Sequence, residues 1–169
     1  FQLFHRTSSG RTVANDILAM LLDFFKDPQA QQEIIVLDFH EFRDFTAQAH
    51  EELETLIANT LQSRMIPHRL ETLTVGEIWG QYPGQNVVIA YNHGTNNPTF
   101  WRGVDHYWSG DNDNTTQKLK VFMDSTIGKY KPRYKLVSIQ CAKYVWPFFV
   151  PDDFSDKIDL WFESINKDS

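Results

Sequence analysis

Hydrophobic and polar positions alternate in blocks along this chain, and the blocks change period from one to the next. Ile34-Ile35-Val36-Leu37 is a run of large aliphatics without alternation, followed by Asp38-Phe39-His40-Glu41-Phe42. A run of that kind reads as a strand buried on both faces, the pattern of a parallel sheet covered by helices. Asn86-Val87-Val88-Ile89-Ala90-Tyr91 repeats the pattern and ends in Asn92-His93-Gly94. A third strand is expected over 135–140, and a short apolar opening over 1–4 ends at His5.

Between these runs the apolar positions take helical spacing. Val13, Ile17, Met20, Leu21 and Phe24 form one face, with Thr12 as cap and Asp27-Pro28 as stop. A second helix is predicted over 46–62, with Ala49, Leu53, Leu56, Ile57, Thr60 and Leu61 on its stripe. A further helical turn is expected over 74–79, and Tyr82-Pro83-Gly84 is a turn signal. A third helix is predicted over 115–127, with Leu119, Phe122 and Met123 inward, and a last one over 155–165. Residues 95–114 read as a long polar and aromatic loop holding Trp101, Asp105, His106, Tyr107 and Trp108. A second aromatic loop is expected over 144–154. Strands alternating with helices predict an α/β fold built from βαβ units. About four strands and four helices make either a small doubly wound domain or half of an eight-stranded barrel, which needs about 250 residues. No internal repeat divides the chain, so its 169 residues are read as one domain.

Bulk composition changes this picture little. The chain is 41% apolar and 22% charged, as ordinary globular domains are. Its net charge of −6 and the lack of a basic cluster argue against nucleic acid as a partner. Thirteen Phe and five Trp suit a large core or an aromatic mouth for an apolar or lipidic ligand. Cys141 is the single cysteine, so no internal disulfide forms and the compartment stays open. The one acceptor sequence for N-glycosylation, Asn114-Thr115-Thr116, points weakly to a secreted or extracellular setting. The chain opens on Phe1, not methionine, and is expected to be an internal piece.

Candidate chemistry gathers at strand ends. His5 can move a proton near neutral pH, and Arg6 beside it can hold phosphate. Asp38 and His40 point to one face of their strand, with Glu41 next to them. These three could bind a metal, serve as acid and base, or pair with a basic neighbour. Tyr91, Asn92 and His93 would lie beside them if the two strands are neighbours. Trp101, Trp108, Tyr144 and Trp146 follow strands, where the mouth of a site would be. Phosphate-cradling glycine loops, a serine elbow, zinc-ligand spacings and paired cysteines do not occur.

Ile35 to Phe42, Ile-Val-Leu-Asp-Phe-His-Glu-Phe, resembles the Leu-Asp-Phe-x-His/Arg-Phe strand of the X-domain proteins related to phosphatidylinositol-specific phospholipase C. Three more segments agree in order. Phe1 to His5 before a helix resembles the strand ending in the family's second active-site histidine. Leu73 to Trp79 with Val87 to Asn92 resembles its Thr-Leu-x-x-Ile-Trp and Val-Ile-x-Tyr-Asn pair. Trp108 with Thr116-Gln117-Lys118-Leu119 resembles its tryptophan and following helix. The likeness is nearest to the metal-independent X-domain proteins of animals.

The resemblance implies a TIM-like barrel that cleaves inositol phospholipids with two histidines and no cofactor or metal. It places the general acid at His5, while Arg6 stands where the family often has Gly or Asp. The first histidine and the phosphate arginine belong to segments outside this chain. The chain is therefore expected to be a central part of the domain, about four parallel strands with their helices and an incomplete catalytic site. The missing barrel strands would come from the same parent or another chain. On this reading Arg6, Asp38, His40, Glu41, Tyr91 and Asn92 meet a phospholipid or inositol-phosphate substrate. Trp101, Trp108 and Trp146 stand at the rim, where an indole suits a peripheral membrane contact. Two alternatives stay open. One is a non-catalytic lipid- or partner-binding protein on the same barrel. The other is a metal-dependent glycerophosphodiester-type enzyme using Asp38 and Glu41, which the lack of a Glu-x-Asp pair disfavours.

Overall fold

A computed structural model describes residues 1–5, 7–95, 97–109, 116–129, 136–140, 144–145 and 150–151. The fold is mixed α/β with short strand pairs. The chain is described as two compact units, Phe1–Val104 and Asp105–Ser169.

The first unit opens on β1 (Gln2–His5), which pairs with β2 (Thr7–Thr12) in an antiparallel hairpin rather than a parallel sheet. Its register slips between Gln2 and Phe4. The sequence of β2, Thr-Ser-Ser-Gly-Arg-Thr, has no apolar alternation, so nothing in it signals a strand. Thr12 caps the following helical segment as expected, its hydroxyl accepting from Asn15 N at 3.2 Å.

That segment begins with a wide π-type stretch, Val13–Leu18, before α1 (Ala19–Phe24). The wide turn moves the inward face. Val13, Leu18, Leu21 and Phe25 are buried, whereas Met20, expected inside, is 66% exposed and Phe24 is also exposed. An α-helical spacing rule misplaces a face wherever the turn holds an extra residue.

β3 (Ile35–Phe39) and β4 (Val87–Tyr91) are parallel and in register, Ile35 opposite Val87 through Phe39 opposite Tyr91. Parallel neighbours need a long crossover, and α2 (Ala47–Leu61) lies within it. The Thr46 side chain caps α2 by accepting from Ala49 N at 3.1 Å. Leu53, Ile57 and Leu61 then form one stripe buried against Val87, Ile89 and Tyr91. Burying each such side chain stabilises by about 1.5–3 kcal/mol.

The two strands differ in burial. β4 is buried at every position, and both its edges are occupied. Phe39 O accepts from Asn92 N on one edge, and Ile66 N and Trp101 N bond Val87 O and Ile89 O on the other. β3 was expected to be buried on both faces and is not. Ile35, Leu37 and Phe39 pack on the core, but Val36 points away and is exposed. Among the described residues, β3 pairs with β4 alone.

α3 (Val75–Gln81) carries a full capping box, in which Thr74 and Glu77 satisfy each other's backbone N–H. The turn before β4 has Pro83 and then Gly84 at φ 86°, closed by Gln85 N to Tyr82 O at 3.0 Å. That is a type II turn, whose third position requires a positive φ.

In the second unit, the expected long loop contains a strand, β5 (Val104–Trp108), which begins at the last residue of the first unit and pairs with β6 (Leu136–Gln140). Aromatic and β-branched residues account for that strand. α4 (Thr116–Lys129) buries Leu119, with Phe122 and Met123 partly covered. β7 (Tyr144–Val145) and β8 (Val150–Pro151) pair antiparallel. The expected last helix over 155–165 lies outside the described residues.

Candidate functional site

The in-register pairing of β3 with β4 brings two polar strand ends together. Each strand leaves the core at the same level, so Asp38-Phe39-His40 and Tyr91-Asn92-His93 share the carboxyl edge of the sheet. Asn92 ties them, since its backbone N donates to Phe39 O at 2.9 Å and its side-chain amide donates to His40 O at 3.2 Å. This is the edge at which parallel folds place ligands.

His40 Nδ1 lies 3.1 Å from Asp38 Oδ2. A carboxylate only accepts, so Nδ1 carries the proton and the imidazole plane is set by Asp38. The Asp38 side chain is mostly covered while that of His40 is open to solvent. Glu41 turns to Arg43, with Arg43 Nε at 3.2 Å from Glu41 Oε1. Asp38 and His40 bring one carboxylate and one imidazole together at this edge.

Gly103 approaches this edge closely. A Cβ there would meet Asn92 Cβ at 3.2 Å and Oδ1 at 3.3 Å, and its φ is 122°. Only glycine takes that backbone conformation without strain.

Behind the edge sits His50, which the sequence reading did not single out, with Tyr91 and His93 against it. His50 is 7% exposed on α2, and its Nδ1 lies 2.8 Å from the Tyr91 hydroxyl. Its ring stacks on that of His93 at 3.7 Å with 5° between the planes. Phe42 meets the His50 ring edge-on at 4.7 Å, and Phe45 lies at 5.1 Å. Burial lowers the His50 pKa, a charge on His93 lowers it further, and Glu54 opposes both. Burial, then Glu54, pushes the Tyr91 phenol well above its ordinary range, so it stays protonated. The signal that could have found His50 is its place one turn before Leu53, on the buried stripe of α2. A histidine on an apolar stripe faces the core and needs a partner there.

Several predicted site residues change role. Tyr91 is fully buried with its hydroxyl bound to His50, so it faces the core and not a substrate. Trp101, expected at the rim, is 8% exposed and donates Nε1–H to Ile66 O at 2.8 Å. It anchors the chain along β4 by burying its indole, as aromatic side chains with a satisfied N–H do. Trp108 is exposed on β5, in the second unit. His5 ends β1; its side chain, together with Arg6 and Trp146, lies outside the described residues. Asp38, His40 and Asn92 are brought together as expected.

Comparison with known proteins found no matching family model, no matching curated protein and no matching solved structure. The class of protein defined by this chain alone is a mixed α/β protein with a histidine–carboxylate pair at a parallel strand edge.

Proposed function

We propose that the protein is a phospholipase C-like phosphodiesterase acting on inositol phospholipids by metal-independent acid–base catalysis on histidines. On this proposal the chain supplies the central strands of a TIM-like barrel, completed by further strands of the same parent or of another chain. The observation that carries the reading is the Asp38–His40 pair, tied to Asn92, at the carboxyl edge of two in-register parallel strands. An imidazole oriented by a carboxylate is suited to hold a hydroxyl or pass a proton. The ordered likeness of four segments to X-domain phospholipases supports the same reading.

In the proposed reaction the inositol 2-hydroxyl attacks phosphorus while a histidine outside this chain takes its proton. His5 protonates the departing diacylglycerol oxygen as the P–O bond breaks, and Arg6 faces the polar head group. Asp38, His40, Glu41 and Asn92 face the polar head group. Contact with a membrane surface is peripheral.

The test is an assay of the full-length protein on phosphatidylinositol vesicles. Release of diacylglycerol and a water-soluble inositol phosphate, insensitive to EDTA, is expected. His5→Ala should reduce turnover by roughly 100-fold or more. Vesicle binding without turnover would favour the non-catalytic reading, and loss of turnover in EDTA would favour the metal-dependent one.

A further inference from the structure

Two residues past the end of β4, His93 is solvent-exposed, and Phe42 meets its ring edge-on at 6.2 Å. The closer contact is the face-to-face stack on His50, at 3.7 Å and 5°. His50 is itself locked. Its Nδ1 is held by the buried Tyr91 hydroxyl at 2.8 Å, and Phe42 closes on its edge at 4.7 Å. Its backbone N donates to Thr46 O at 3.1 Å in the first turn of α2. A rigid path therefore runs from the Tyr91 hydroxyl in the core, through the His50 ring, to an exposed imidazole at the carboxyl edge. Neighbouring Asn92 belongs to the same edge and bonds the backbone of His40.

We propose that His93 contacts the polar head group of the substrate at this edge and that His50 is its positioning residue. The proposal rests on the phosphodiesterase reading for the identity of the head group, an inositol phosphate. Holding the His93 ring in place before binding removes the ordering cost that a free side chain adds to association. The charged or titratable groups facing the His50 ring are Tyr91 on β4, Glu54 on α2 and His93 itself. Burial keeps His50 neutral near pH 7, so it stacks on His93 without charge repulsion.

Two measurements on the full-length protein test this. The first is turnover of a water-soluble inositol phosphodiester by His50→Leu, His50→Phe and His93→Gln. Loss of a pre-set contact made equally in ground and transition states raises KM and leaves kcat unchanged. His50→Leu should raise KM roughly 3- to 10-fold, and His50→Phe, which keeps a flat ring for stacking, should restore most of it. His93→Gln should raise KM at least as far. A merely structural His50 would instead lower apparent kcat with the folded fraction and leave KM alone, which overturns the proposal.

The second measurement is NMR of the imidazole signals during titration with inositol 1-phosphate. His93 signals should move in the wild type and move less, at equal ligand, in His50→Leu. Unmoved His93 signals overturn the proposal even where turnover is intact. A wild type without turnover sinks the phosphodiesterase reading, and the titration then decides the contact and its positioning on its own. Should His50→Leu fail to fold, His50→Phe and the wild-type titration carry both measurements.

Discussion

Tyr91→Phe removes one oxygen atom from the centre of the first unit and nothing else. The ring remains packed between Phe42 at 4.8 Å and Phe100 at 5.5 Å. The lost atom is the partner of His50 Nδ1 at 2.8 Å, and both residues are buried. A typical hydrogen bond contributes about 1 kcal/mol net, but a buried group left without its partner costs about 1–3 kcal/mol. The expected destabilisation is therefore about 1–3 kcal/mol, read as a lower urea midpoint at unchanged slope. His50→Leu should cost a similar amount by stranding the Tyr91 hydroxyl, with loss of the His93 stack added. The double variant removes both polar partners, so it should be less destabilised than the sum of the singles by about 1 kcal/mol or more. Urea unfolding at pH 8, followed by circular dichroism, supplies all four corners of the cycle. A Tyr91→Phe midpoint equal to the wild type, or strict additivity, would show that the 2.8 Å contact stabilises nothing and refute the reasoning.

Three further outcomes are expected. Gly103→Ala should destabilise by more than about 1 kcal/mol, because φ is 122° and the new Cβ meets Asn92; a midpoint within error of wild type in urea unfolding would contradict it. Trp101→Phe should leave Ile66 O without its indole donor and cost about 1–3 kcal/mol, checked by thermal melting against wild type. Stability should also fall with acid. The His50 pKa in the folded protein lies below its ordinary 6.5, so under that pH the unfolded chain binds a proton the native state refuses. His50 therefore contributes stability that is complete above pH 6.5 and lost as pH falls below it. A His50→Leu variant with an unchanged loss of urea midpoint between pH 7.5 and 5.5 would assign that loss elsewhere.

Much of the backbone plan was legible because it follows from short-range periodicity. The runs at Ile35–Phe39 and Val87–Tyr91 are strands, and the stripe of Leu53, Ile57 and Leu61 marks the buried face of α2. Thr12 is a cap, as its place before a helical pattern predicts, while Thr46 and Thr74, read as the first residues of their helical stretches, are caps as well. The hairpin strand Thr7–Thr12 was not legible, since its pairing is made with β1 and leaves no apolar mark. The inward face of the first helical segment was misplaced because a π-type turn is a packing outcome, invisible to a 3.6-residue rule. Trp101 looked like a rim residue because composition cannot tell an indole that covers a core from one that faces a ligand.

From the sequence alone, several polar and titratable residues could be assigned to strand ends. Hydropathy is local, so Asp38, His40, Asn92 and His93 could be assigned to strand ends without knowing which strands are neighbours. Tertiary structure alone decided the rest. Parallel pairing in register set Asp38 and His40 beside Asn92, and packing of α2 on β4 placed His50 between Tyr91 and His93. Those contacts join residues about 40 to 50 positions apart (His50 and Tyr91 differ by 41). Their geometry is set by the burial of Leu53, Ile57 and Leu61 against Val87 and Ile89. No property of either segment alone carries that information, because the free energy that sets it belongs to the interface between them.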